Sequence, residues 1–206
     1  MGTPSRLLRT RLPAAPPEGD VRERVCAGLV GDVVEIGYGA GLNHPHLPPE
    51  VTGVWAIEPS PAALHRAGTG RGDPAVPVVV AGADAQRLPF PDDRFDSALS
   101  TWVLCGLPDP AAALAEVARV LRPGGVLHFV EHGRSPDPAV RRWQRRGPRA
   151  ERLRTACSLD DDVAALLAAS PLTVTELVRY DEPGQPSWAG YTFEGRATAQ
   201  LANRSR

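Results

Sequence analysis

The stretch Val33-Val34-Glu35-Ile36-Gly37-Tyr38-Gly39-Ala40-Gly41-Leu42-Asn43 restricts the possible folds of this chain more than any other. An apolar run broken by one acid leads into three glycines at alternate positions. Such a run reads as a strand buried on both faces of a parallel sheet. The glycines let the backbone turn sharply and approach a ligand where any Cβ would clash. Ligands of open α/β sheets bind at the carboxyl ends of strands, so this turn is the natural floor of a site. A nicotinamide or flavin fold would space its glycines as G-x-G-x-x-G. Here they stand at 37, 39 and 41 with leucine at 42, which is a different pattern.

The same alternation continues along the chain. A second apolar run, residues 51–57, ends in Glu58, and Pro59-Ser60-Pro61 then opens a helix through Ala67. A carboxylate at the end of the second strand, about 20 residues past a glycine turn, suits a ribose, because it accepts from both vicinal hydroxyls. The same acid can also cap the helix that follows. Runs at 76–80, 95–101 and 126–130 read as the third, fourth and fifth strands. Gly82-Ala83-Asp84-Ala85 follows the third, Trp102 to Pro108 follows the fourth, and Glu131-His132-Gly133 follows the fifth. Asp109 caps a helix whose Leu114, Val117, Ala118 and Leu121 recur at helical spacing, and Pro123-Gly124-Gly125 ends it. Residues 18–29, 42–47 and 159–169 read as further helices. Residues 172–180 and 189–197 alternate like strands of a closing hairpin-like edge. Strand, helix and strand in repetition predict an α/β fold, a doubly wound and mostly parallel seven-stranded sheet with right-handed crossovers.

At 206 residues the chain suits one domain, expected over 18–206 behind a disordered tail at 1–17 that is rich in Arg and Pro. A formal net charge of −1 gives no global electrostatic case for nucleic acid. Three widely spaced cysteines, Cys26, Cys105 and Cys157, form no C-x-x-C, so free thiols in a reducing cytoplasm are expected and a zinc knuckle is not. Asn43, His44 and His46 lack a neighbouring cysteine or carboxylate at ligand spacing, so capping and surface roles are expected for them rather than metal. No apolar run reaches the ~18 residues that span a bilayer. One basic feature stands out: residues 141–154 carry seven arginines around Trp143 and Leu153. This segment reads as a helical cap within 135–169, either a solvated face or a basic lid toward an anionic acceptor or a membrane surface.

These motifs together resemble class I S-adenosylmethionine-dependent methyltransferases of the type 11 kind. The resemblance runs from Arg22 to Ala197 and includes the acid and three glycines, Glu58, Asp84 and the "LRPGG" before the fifth strand. It implies a Rossmann-like single domain with S-adenosyl-L-methionine as methyl donor and S-adenosyl-L-homocysteine as product. By that resemblance Glu35 holds the methionine ammonium, and Gly37, Gly39 and Gly41 make room for the donor. Glu58 with Pro59 lies at the ribose, Asp84 with Ala85 at the adenine, and Thr101 beside the donor. Trp102, Leu104, Cys105 and His132 would line the acceptor pocket. "TWVLCGLPDP", "RVLRPGGVLHFVEHG" and Trp143-Gln144 narrow the likeness to small proteins related to animal alkyl-thiol methyltransferases. That implies a small soft acceptor such as a thiol. Ala156-Cys157-Ser158-Leu159 departs from that group's glycine before the cysteine and histidine after it. The rivals are a lipid, quinone precursor or other metabolite as acceptor, and a cofactor-binding protein without turnover. His132 is the candidate general base; a thiol, partly thiolate at neutral pH, needs little help.

Overall fold

The computed structural model describes residues 17–70, 76–146, 159, 161–186 and 189–200. Residues 1–16 of the expected tail at 1–17, and residues 147–154 of the arginine segment, lie outside these residues.

The first element of the described residues is a short helix, α1 (Val21–Cys26). The Asp20 side chain caps it by accepting from the Arg22 amide at 2.7 Å. It is shorter than the pattern predicts, because the chain turns away at Ala27 and Gly28 holds φ +85°. Strand β1 (Gly31–Ile36) follows, then the glycine turn and a single 3-10 turn at His44–His46. Pro48 and Pro49 leave no room for a longer helix there. Next come β2 (Val51–Ile57), α2 (Pro61–Gly70) and β3 (Val78–Gly82). β3 starts two residues later than its apolar run, since Pro77 has no amide to give to the ladder.

β4 (Phe95–Thr101) leads through a 3-10 turn at Leu104–Gly106 to α3 (Pro110–Val120), with Asp109 as its cap. β5 (Leu121–His132) is longer than expected. It takes in the Pro-Gly-Gly run through a register shift opposite Phe95 and Ser97. α4 (Pro138–Arg146), α5 (Val163–Ala169), β6 (Leu172–Asp181) and β7 (Tyr191–Ala199) complete the described elements.

The seven strands lie in the order β3-β2-β1-β4-β5-β7-β6. β3 to β5 are parallel, and β7 runs antiparallel between β5 and β6. The expected edge hairpin is therefore a sheet end in which the last strand inserts beside β5. Strand order reverses between β1 and β4. That is the switch point where a crevice opens at the carboxyl ends. Two apolar layers sandwich the sheet. Val34, Ile36, Leu114, Val117, Phe129 and Leu167 belong to the α3/α5 side, and Val25, Val33, Tyr38, Leu99 and Val130 to the α1/α2 side. α5 packs on β6 and α3, so this part of the expected cap covers the sheet instead. α4 is pinned by Gln144. Its amide donates to the Gly133 carbonyl at 3.0 Å and accepts from the Ser135 amide at 3.0 Å. Trp143, 66 % exposed, faces outward.

Candidate active site at the strand ends

The carboxyl ends of β1, β2, β4 and β5 bring Glu35, Glu58, Thr101 and Glu131 to one edge of the sheet. The glycine turn runs across them. Gly37, Gly39 and Gly41 have φ values of +68°, +59° and +72°, a region that L side chains rarely adopt. Their surroundings differ. A Cβ at Gly37 would overlap the Val103 side chain, and one at Gly41 would come within 2.8 Å of Tyr38 Oη. At Gly39 the nearest atom to a Cβ would be the Gly37 carbonyl oxygen at 3.8 Å, so there the backbone borders open space. Two glycines serve close packing, and the middle one is bare toward the crevice.

Glu35 is 1 % exposed. Burial pushes its carboxyl up to about 8, against the opposing pull of the Asn43 amide and the Arg22 charge. Asn43 Nδ2 donates to Glu35 Oε1 at 2.7 Å and to Thr101 Oγ1 at 3.0 Å, while its Oδ1 accepts from Arg22 at 2.5 Å. Asn43 is thus a buried bridge between β1, β4 and α1, which corrects the expected capping or surface role. The bridging role of Asn43 and the part of Arg22 were not legible in the sequence, because partners 21 and 58 residues apart leave no local spacing. The Arg22 guanidinium also lies over the Trp102 ring, 4.9 Å from its centroid.

Glu58 carries two ties. Oε2 accepts from the Gly39 amide at 2.8 Å, and Oε1 accepts from the Ser60 amide at 2.8 Å. It joins the bare glycine to the start of α2 and keeps lone pairs for a further donor. Pro59 continues this corner. Asp84 is exposed and Ala85 buried; Asp84 Oδ1 accepts from the Gln86 amide at 2.9 Å and from its side chain at 3.2 Å, which is turn chemistry.

Past β4, Trp102 takes φ +55°, a genuine outlier for a bulky residue that costs roughly 1–3 kcal/mol. Its amide donates to the Val130 carbonyl at 2.8 Å. Its indole Nε1 is buried and has no hydrogen-bond partner among the described residues. The His132 ring lies 5.8 Å from the Trp102 ring, tilted by 33°. Burial pulls the His132 imidazole down to about 4, so it is neutral at neutral pH. Leu104 is 1 % exposed and belongs to the core rather than to an open wall. Cys105 is disulfide-bonded, which corrects the expectation of a free thiol there. Cys26 is free and buried, and Cys157 lies outside the described residues.

Glu131 is the acid that the sequence pattern passed over. It is fully buried, and it accepts from Ser100 Oγ at 2.5 Å and from the Val103 and Leu104 amides at 2.9 and 3.1 Å. Burial raises its carboxyl to about 7 against these three donors. Its place inside an apolar strand was the signal available: a buried acid implies a dedicated set of donors. Among the described residues, no cluster of His, Cys, Asp or Glu could hold a metal ion, and no helix is long and apolar enough to cross a membrane.

The arrangement has counterparts among known proteins. Residues 34–129 match the methyltransferase domain family. The chain is 36 % identical to human thiol S-methyltransferase TMT1B over 109 residues, covering 50 % of this chain and 43 % of that protein. It is 34 % identical to phosphatidylethanolamine N-methyltransferase of Cereibacter sphaeroides over 104 residues, covering 50 % and 51 %. The chain thus spans about half the length of such curated relatives, or less. In three dimensions it resembles N-methyltransferase NodS of Bradyrhizobium japonicum, solved with S-adenosyl-L-homocysteine. The TM-score is 0.60 at 24 % identity, with 86 % of this chain and 82 % of that one covered. Residues 34–129 thus resemble a methyltransferase domain, and the chain shares the Rossmann-like fold of solved S-adenosylmethionine-dependent methyltransferases.

Proposed function

We propose that this protein transfers a methyl group from S-adenosyl-L-methionine to a small-molecule thiol. The observation that carries the donor half is the buried Glu35 carboxyl, held by one neutral amide beside a glycine turn that is bare at position 39. An ammonium placed there restores the charged form of an acid that burial otherwise keeps protonated. The residues present fit the donor: Glu35 for its ammonium, Gly37, Gly39 and Gly41 for close backbone approach, and Glu58 with Pro59 for a vicinal diol. Asp84 and Ala85 stand at the base end and Thr101 beneath the reacting centre. The Arg22 guanidinium is the nearby group suited to the donor's carboxylate.

The bound donor supplies an electrophilic methyl on a sulfonium. The chain's own residues do the rest. The Glu35–Asn43–Thr101 bridge fixes one end of the crevice, and the Glu58 ties fix the other. Alignment and exclusion of water, rather than a strong base, then set the rate. On the acceptor side, the Trp102 ring supplies an apolar wall beside His132, and burial makes His132 a weak base, so the thiol reacts as the thiolate present at neutral pH, its proton left in solvent. A thiol suits this equipment, because an alcohol or amine of high pKa would need a stronger base. The likeness to a thiol S-methyltransferase supports the same class.

The test is release of S-adenosyl-L-homocysteine from S-adenosyl-L-methionine, with and without propane-1-thiol. Release that depends on the thiol is the expected result. Donor binding without thiol-dependent release would overturn the acceptor assignment. A lipid acceptor is the second reading, favoured by exposed Trp143 between the exposed Arg142 and Arg145 and by the lipid-methylating relative. Release that depends on phosphatidylethanolamine vesicles would select it.

A further inference from the structure

We propose that Glu131 is the positioning residue of the acceptor side, a buried carboxylate on which the loop carrying Trp102 is hung. This rests on the methyltransferase reading above and adds to it the group that sets acceptor fit.

Both carboxylate oxygens are committed to the protein. Oε1 takes the Ser100 hydroxyl from β4, and Oε2 takes two successive amides, Val103 and Leu104, from the loop. At 0 % exposure and with both oxygens accepting from the protein, Glu131 acts on the loop rather than on the acceptor. What it does is mechanical. The chain leaves β4 at Thr101 and turns through the left-handed Trp102. Its next two amides would point into the interior without partners if Glu131 were absent. Two hydrogen bonds to one oxygen fix the orientation of that pair of peptides. The Trp102 amide is held in turn by the Val130 carbonyl, so the strained residue is gripped from both sides by β5. A strained backbone persists only where its surroundings over-determine it, as they do here.

The loop that Glu131 holds borders the glycine turn on one side and the acceptor half of the crevice on the other. Val103 lies where a Cβ of Gly37 would be, so the loop is seated directly on the glycine turn. Trp102 presents its buried, unpartnered Nε1–H between His132 and Arg22. That N–H is a buried donor without a hydrogen-bond partner among the described residues. Its location depends on the peptides that Glu131 holds.

The test uses Glu131→Ala and Glu131→Gln in the full chain. Three quantities are read: hydrogen exchange of the Val103 and Leu104 amides, calorimetric affinity for S-adenosyl-L-homocysteine, and KM and kcat with propane-1-thiol. In Glu131→Ala the two amides exchange at least about tenfold faster, while amides of β1 keep their protection. The thiol KM rises by about tenfold or more, and product affinity stays within about threefold. Glu131→Gln restores protection and KM, because its carbonyl oxygen accepts both amides and its NH2 donates to Ser100 Oγ. Should the alanine variant fail to fold, Glu131→Asp, one methylene too short, gives the same loss in milder form. Unchanged exchange in the Ala or Asp variant overturns the proposal, as does a KM effect that Gln does not rescue. If the wild type turns over no thiol, the acceptor assignment fails separately, and the exchange data alone decide whether Glu131 holds the loop.

Discussion

Glu35 and the glycines beside it give the sharpest expectations at the scale of single residues. An unfolded glutamate titrates near 4.5, whereas burial holds the proton on Glu35 up to about 8. A folded pKa above the unfolded one means stability that is complete below 4.5 and lost as pH rises through 8. Glu35→Gln removes that slope while its amide oxygen can still accept from Asn43. Chemical denaturation at pH 5 and pH 8 should therefore show wild type losing about 3 kcal/mol relative to the variant. The comparison must be between the two proteins. His128 and His132, both pulled down to about 4 by burial, lose stability as pH falls over much of the same range. The opposite slope, or none, would mean that Glu35 is already charged in the fold. Gly39→Ala tests the turn. With open space around it but φ at +59°, the substitution costs only the left-handed penalty, about 1–2 kcal/mol of stability. It should abolish donor binding more completely than it unfolds the chain. A variant that binds product normally would show that the crevice does not approach residue 39.

Among the elements, α1 matters more than its six residues suggest. Arg22 reaches across to Asn43 and Trp102, and Arg24 ties the helix to the far end of the sheet. Arg24 Nε and NH2 donate to the two oxygens of Glu194 at 3.0 and 2.8 Å, and Tyr180 Oη donates to the same carboxylate at 2.7 Å. Glu194 is 9 % exposed, so removing its guanidinium partner strands a buried charge. Arg24→Met should lower unfolding free energy by about 3 kcal/mol in urea titrations, and a loss under 1 kcal/mol would show a solvated pair. This tie also marks the limit of what the sequence could reveal. Within 18–29 the helical spacing of Val21, Val25 and Leu29 marks a helix, but Arg24 and Glu194, 170 residues apart, carry no such mark. The same holds for β7. Its alternation marked it as a strand, yet insertion between β5 and β6 is a matter of topology that no local pattern carries.

Across the whole molecule, the strand order and the switch point follow from alternating apolar runs and glycine turns, which local chemistry writes plainly. The β1–β2 corner was legible for the same reason: Glu35, the glycines and Glu58 sit at strand ends whose positions the runs define. The edge beyond β4 and β5 was not. Its organising groups are an acid inside an apolar strand, an arginine on a separate helix and a positive-φ tryptophan, each defined by long-range partners. Leu104 and Cys105 were read as pocket wall from their place after β4. The 3-10 turn at Leu104–Gly106 instead sends Leu104 into the core, and Cys105 is in a disulfide.

The account stands on donor binding at the β1–β2 corner, and Glu58 tests it most directly. Calorimetric titration with S-adenosyl-L-homocysteine should give a saturable isotherm for wild type. Glu58→Ala should weaken it by about 1–3 kcal/mol, through the lost diol partner and the freed Gly39 amide. Equal affinities in the two proteins would remove Glu58 from the site, and no binding by wild type would contradict the methyltransferase reading itself.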